Sequence, residues 1–253
     1  MKPTSHESQP APLPQEANAK HKPLRTLVVD IGGSGIKALV VNEIGEAMTE
    51  RIRQSTPRGG KPDEVIKVIT SLAKNVGRFE RVSVGFPGIV RSGVVTGAVN
   101  LAPEWEHFHL SKALHEIFKK PVRAANDADV QGFGAISGTG VELVLTLGTG
   151  VGSSLFVDGR LVPNLEVGKN KLRRDELERI GKKRWNRRLA KVIAKLEKMF
   201  RYDRLYIGGG NAGMVDISGL GGNVTIVSNL NGLLGGINLW RDAAIPEAPK
   251  KSK

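Results

Sequence analysis

DIGGSGIK, residues 30–37, stands between two apolar runs, Leu27-Val28-Val29 before it and Ala38-Leu39-Val40-Val41 after it. Two such runs joined by a glycine-rich turn read as a β-hairpin, with Asp30 at the tip of the first strand. The small residues Gly32 to Gly35 let a backbone approach an anion closely and offer it several N–H groups. Asp30 can hold a hydrated magnesium ion, and Lys37 can add positive charge. A glycine turn between strands is as often only a turn, so the rest of the chain must decide. The stretch lacks the spacing of a dinucleotide-binding fingerprint, and the chain contains no GxxxxGK[ST] phosphate loop.

Outward from this hairpin, helix and strand patterns alternate. Pro62 to Lys74 has helical spacing, Arg81 to Phe86 reads as a strand ending at Pro87-Gly88, and Leu110 to Phe118 as a helix. Val122 to Ala125 is a short strand, and a helix over Asp129 to Ala135 follows Asn126-Asp127. The opening design then recurs: strand Glu142 to Leu147, glycine turn Gly148 to Gly152, return strand Ser153 to Val157. Trp185 to Phe200 is an amphipathic helix with Leu189, Val192, Ile193, Leu196, Met199 and Phe200 on one face. Leu205 to Ile207 leads into Gly208-Gly209-Gly210-Asn211, and Val224 to Val227 is a last strand before the glycine-rich Gly232 to Gly236. The mixed order predicts an α/β fold, and two matching hairpins predict two matching lobes.

RAANDAD, residues 123–129, places Asn126 and Asp127 between strand and helix, from where side chains reach into a cleft. A carboxylate there can accept the proton of an attacking hydroxyl. Asp127 serves equally well, on sequence alone, as a helix cap.

With 253 residues the chain is long enough for two lobes of about 110 residues, each with its own core. It has no cysteine, which excludes disulfides and thiolate metal sites. No apolar run reaches the roughly 18 residues of a membrane span, and the N-terminus lacks the apolar core of a signal peptide, so a cytoplasmic protein without membrane contact is expected. Residues 1–23 and 242–253 are poor in large apolar side chains and are expected to be disordered tails. The expected lobes are 24–125 and 126–241, with the last helix able to pack back on the first. His107 and His109, two residues apart without a third ligand, are a weak metal pair. Trp105 and Phe108 are expected near a cleft rim.

The net charge is +13, and residues 160–204 hold 16 Lys or Arg against 6 Asp or Glu, a local +10. Arg187, Lys191, Lys195 and Lys198 recur on the helix face away from Leu189. That pattern fits a solvated face, or a track for a polyanion that gains by counterion release. Nucleic acid is disfavoured: only 5% of residues are aromatic and no stacking motif is visible.

Taken together, DIGGSGIK, GFPG, VNLAPEW, AANDAD, LTLGTGVG and YIGGGNA resemble the ROK family of sugar kinases over about Leu24 to Arg241. GKKRWNRRLA and NVTIVSNLNGLLGG are similar to its polyphosphate glucokinase branch. The resemblance implies an actin-like (ribonuclease H-like) two-lobe fold with sugar on the cleft floor and the phosphoryl donor between the hairpins. It implies Asp127 as base, and Asn100, Asn126 and Glu166 as contacts to glucose or a related hexose. Gly32, Gly33, Ser34, Lys37, Thr149 and Gly150 would surround the phosphates of polyphosphate or ATP. Gly208, Gly209, Gly210 and Asn211 would meet a nucleoside. It further implies Mg2+ near Asp30, no zinc, and a homodimer. Family members read Glu-x-Gly-His where this chain has Glu166-Val167-Gly168-Lys169, and the segment from Lys169 to the basic helix is short. An ATP-dependent kinase of another hexose, or a sugar- or polyanion-binding protein of reduced activity, are the alternatives.

Overall fold

The computed structural model describes residues 24–98, 101–163, 165, 167, 170–228 and 234–240. Expectations that fall on 1–23, on Asn100, on Glu166, on Gly168-Lys169, on 229–233 and on 241–253 therefore lie outside the described residues.

The chain builds one strand arrangement twice. In the first sheet, β1 (Thr26–Ile31) pairs antiparallel with β2 (Ile36–Val41), and β2 with β3 (Ile52–Gln54). On its other side β1 runs parallel to β4 (Arg81–Phe86), and β4 to β7 (Val122–Asn126), giving the order β3-β2-β1-β4-β7. In the second sheet β8 (Val141–Leu147) pairs antiparallel with β9 (Val151–Val157), and β9 with β10 (Arg160–Val162). Parallel β11 (Arg204–Gly208) and β12 (Val224–Ile226) complete the order β10-β9-β8-β11-β12. This is the actin-like two-lobe fold.

Each sheet buries a helix layer for reasons visible in the side chains. The helix α1 (Pro62–Asn75) starts with proline, carries Asp63 and Glu64 in its first turn, and turns Val65, Ile66, Ile69 and Leu72 into the first core, lying against β2 and β3. With α2 (Leu110–Phe118) it covers Leu27, Val29, Val82 and Val84. Trp105 lies in this core rather than at a rim; it is fully buried and packs on Phe86, and its Nε1 donates to the Gly60 carbonyl at 2.7 Å. In the second half α4 (Arg174–Ile180) precedes α5 (Lys182–Phe200), whose stripe of Trp185, Leu189, Ile193 and Leu196 packs on Leu143, Leu145, Leu205 and Ile207. That stripe continues at helical spacing to partly buried Phe200, which leaves Met199 exposed beside it.

Several elements, β3 among them, were not legible in advance. The hairpin of β5 (Gly88–Arg91) and β6 (Val94–Ala98) turns at Ser92-Gly93, both with positive φ. The helix α4 buries no residue, so it carries no apolar stripe to read. Strand β10 has only three residues.

The remaining helix, α3 (Asp127–Phe133), lies between the sheets, against β4 and β7 on one side and β8 and β9 on the other. Gly132 makes this possible, since a Cβ there would collide with the Phe156 ring and the Ser154 hydroxyl of β9. The short 3₁₀ segment Gly235–Trp240 also packs on α3 and on the first sheet. Ser83 Oγ donates to the Gly236 carbonyl at 2.7 Å, and the guanidinium groups of Arg81 and Arg123 lie 4.9 Å and 4.8 Å from the centroid of the Trp240 ring.

Candidate active site

A cleft of about 380 Å³ opens where the tips of the two hairpins face each other across the start of α3. The first hairpin supplies Asp30, Gly32, Gly33, Ser34 and Lys37; the second supplies Thr146, Thr149, Gly150 and Gly152; Asn126 and Asp127 stand between them.

The start of α3 settles a question that the sequence left open. Asn126, not Asp127, is the helix cap: its Oδ1 accepts from Ala128 N–H at 2.8 Å and from Asp129 N–H at 3.2 Å. Its Nδ2 donates to the Gly88 carbonyl at 2.9 Å, so the amide ties the helix to the β5–β6 hairpin. Little of Asn126 is then left to offer a ligand beyond its second amide hydrogen. Asp127 is the first helical residue, half-buried and on the cleft wall. Its Oδ1 shares the Ala128 N–H at 2.8 Å, which restrains the carboxylate.

The helix start is pressed against the second hairpin. A Cβ on Gly152 would lie 2.7 Å from Ala128 Cβ and 2.5 Å from Thr146 Oγ1, so glycine is required for that approach. Ser154 Oγ donates to the Ala128 carbonyl at 3.1 Å and fixes the same contact from below.

Most carbonyls of the two glycine turns accept from protein donors. In the first, Gly32 N–H donates to Gly35 O at 3.1 Å, Thr56 Oγ1 to Gly32 O at 2.5 Å and Arg53 Nη2 to Ser34 O at 2.8 Å. In the second, Gly148 N–H donates to Gly150 O and Arg174 N–H to Gly148 O, both at 2.9 Å, and Arg173 Nε to Thr149 O at 3.1 Å. A carbonyl already accepting from the protein repels an incoming anion less, which suits both turns to phosphate.

Asp30 and Lys37 are cross-strand partners in the β1–β2 register, and Lys37 Nζ donates to Asp30 Oδ2 at 2.7 Å. The pair places a carboxylate and an ammonium on one wall of the cleft. Gly209 and Gly210 line the opposite wall, while Gly208 and Asn211 are not among the lining residues. Gly209 has φ of 90°, and a Cβ on it would overlap the Leu147 backbone, so close packing of β11 on β8 accounts for this glycine. Asn211 is buried and braces the second turn: its N–H donates to Leu147 O at 2.8 Å. Arg53, Gln131 and Arg174 also line the cleft although no motif marks them; Arg174 counted only toward the basic segment.

A family model described as "ROK family" matches residues 26–166. This chain belongs to the ROK family. It is 30% identical over 201 residues to polyphosphate glucokinases of Mycobacterium leprae and Mycobacterium tuberculosis, covering 72% of this chain in each case. The match spans 62% of the M. leprae protein, less than two thirds, and 76% of the M. tuberculosis one. Among solved structures, the inorganic polyphosphate/ATP-glucomannokinase from Arthrobacter sp. strain KM superposes with a TM-score of 0.76 at 30% identity, covering 85% of this chain and 96% of that one. No helix among the described residues is long and apolar enough to cross a membrane.

Proposed function

We propose that this ROK protein is a glucokinase that transfers the terminal phosphoryl group of polyphosphate, or of ATP, to O6 of glucose. The observation that carries the reading is the placement of Asp127: with Asn126 as the cap of α3, Asp127 stands on the cleft wall between two anion-suited turns, its carboxylate restrained by the Ala128 N–H. In the proposed reaction the sugar hydroxyl oxygen attacks the terminal phosphorus in line. The bond to the bridging oxygen breaks, the shortened donor leaves with that electron pair, and the hydroxyl proton passes to Asp127.

The N–H groups of Gly33, Ser34, Thr149 and Gly150 would hold the donor, with Gly32, whose own N–H is engaged by Gly35 O, shaping the first turn, and Lys37 would offset charge that develops in the transition state. Asn100, Glu166 and the free hydrogen of the Asn126 amide would orient the sugar. Asp30 suits a hydrated magnesium ion. Lys37 engages only one of its oxygens, and magnesium commonly needs one or two carboxylates besides substrate phosphates and water. When bound, the ion neutralises donor charge. The names of the mycobacterial and Arthrobacter relatives support polyphosphate as donor, as does the exposed cationic face of α5 at Arg187, Lys191, Lys195 and Lys198.

The test is formation of glucose 6-phosphate from glucose and magnesium with either donor, by the wild-type chain and by Asp127→Asn. The expected outcome is product from polyphosphate, with turnover reduced about 10²- to 10⁴-fold in the variant at unchanged Tm. Product from ATP alone would replace the donor assignment, and wild-type activity retained by the variant would remove Asp127 as the base.

A further inference from the structure

Two arginines of the cleft have no part in the proposed chemistry. Arg53 comes from β3 of the first sheet and Arg174 from the first turn of α4, beside the second sheet. Each is oriented by the turn it adjoins. The Arg53 guanidinium donates to Ser34 O and lies so close over Gly35 that a Cβ on this glycine would overlap it. Arg174 reaches across the other wall, with Nε 3.4 Å from Asn211 Oδ1 and Nη2 2.9 Å from where a Gly210 Cβ would stand.

Among the described residues neither guanidinium forms an ion pair with a carboxylate, unlike Arg25, Arg179 and Arg188. Each keeps N–H groups of its fork for another acceptor. A guanidinium fork matches two oxygens of a phosphate, and two such forks from opposite walls match successive phosphates of one chain. Among the described residues the cleft lining contains no aromatic side chain, so none of them offers a ring on which a nucleobase could stack.

We propose that Arg53 and Arg174 form a donor clamp, one arm from each lobe, that binds the phosphates behind the transferred one and matches the cleft to an all-phosphate chain rather than a nucleotide. The proposal rests on the reading of this cleft as the donor site, and assigns the donor's chemical class to two residues.

Binding of tripolyphosphate and of ADP to the full-length chain, measured by calorimetry without sugar, tests it for wild type, Arg53→Gln, Arg174→Gln and Arg174→Lys. Each glutamine variant is expected to weaken tripolyphosphate about tenfold or more and ADP distinctly less, with Arg174→Lys recovering only part of the loss, because lysine keeps the charge but not the fork. Tm values of the conservative Arg174→Lys variant guard against a folding defect. Wild-type chain that does not bind tripolyphosphate, variants that bind it as wild type does, or equal losses for both ligands would overturn the clamp. A selective loss of tripolyphosphate binding, in a chain that yields no sugar phosphate with any donor, would leave the clamp standing and remove the kinase reading. Sugar phosphate formed by variants with unaltered tripolyphosphate binding would do the reverse.

Discussion

The turn at Gly32–Gly35 and the turn at Gly148–Gly150 are braced alike, yet the strand pair that enters each one differs. One step before the turn, β1 and β2 carry Asp30 opposite Lys37, whereas β8 and β9 carry Thr146 opposite Gly152. The first hairpin is loaded with a carboxylate and an ammonium. The second is hollowed out, and the space goes to Ala128 and hence to the start of α3. One duplicated unit has thus been divided into a half that holds charge and a half that receives the helix bearing Asp127. Repetition of the backbone did not require repetition of the chemistry, because side chains next to a turn are free to vary once the ladder is paired.

The sharpest break in this comparison is to fill the hollow. Gly152→Val would force Ala128 and Thr146 apart, and is expected to cost about 1–3 kcal/mol of stability and to lower turnover about 100-fold by displacing Asp127. Gly150→Ala, with open space around the added methyl, should leave Tm within the equivalent of about 0.5 kcal/mol. Thermal melts and initial rates on the two variants separate packing from phosphate contact. If Gly152→Val melts and turns over as wild type, the hollow has no role.

Unloading the first hairpin comes next. Lys37→Met leaves the largely buried Asp30 without its 2.7 Å partner and is expected to lower turnover about tenfold, with a loss of about 1 kcal/mol in chemical denaturation. Asp30→Asn should lower turnover while flattening its dependence on magnesium concentration. An unchanged magnesium titration in that variant would take Asp30 out of the ion's surroundings.

The end of the second sheet away from the cleft offers a contrast with no expected effect on turnover. Glu142, at the start of β8, is fully buried and accepts from Ser137 N–H at 2.8 Å, Tyr206 O–H at 2.8 Å, the Ser137 hydroxyl at 2.9 Å and Gly138 N–H at 2.7 Å. Burial by itself would raise its pKa, but these four donors outweigh it and hold the carboxyl below the usual carboxylate range. A folded-state pKa lower than the unfolded one means that the contribution is complete above the unfolded value of about 4.3 and is lost as pH falls through and below it. Glu142→Gln is expected to cost about 1–3 kcal/mol at pH 7 and to flatten the fall of stability below pH 4, with turnover retained. Urea melts across pH 3–7 measure this. A variant whose melts fall with acid as steeply as those of wild type would show that the carboxylate is not the cause.

The smallest effect is expected at Glu176, whose carboxylate joins Arg179 at 2.5 Å and Arg188 at 2.8 Å and is held down to about 2 by their hydrogen bonds. Arg179 is exposed, while Arg188 is half-buried and Glu176 largely covered; with one partner in solvent the network is partly screened, so Glu176→Gln should shift Tm less than Glu142→Gln, and less still in high salt. A salt-independent shift would place this network in a drier setting than its exposure indicates.

The amino-acid sequence alone determined both glycine hairpins, α1 and the stripe of α5, because alternation and helical spacing are local properties that survive whatever the chain packs against. It also placed Asp30, Lys37, Asn126 and Asp127 in motifs whose combination marks the ROK family. The tertiary structure decided what those residues are free to do. Whether Asn126 or Asp127 caps α3, and that the cap also reaches Gly88, depends on a contact 38 residues away in the chain. Gly209 lines the cleft as part of the expected ligand segment, but that it must be glycine is demanded by the Leu147 backbone of a neighbouring strand. Arg53 and Arg174 belong to no motif and meet in one cleft only because the two sheets face each other across α3. Spacing along a chain encodes which face of an element is buried; it does not encode which two faces are brought together, and that pairing made the site.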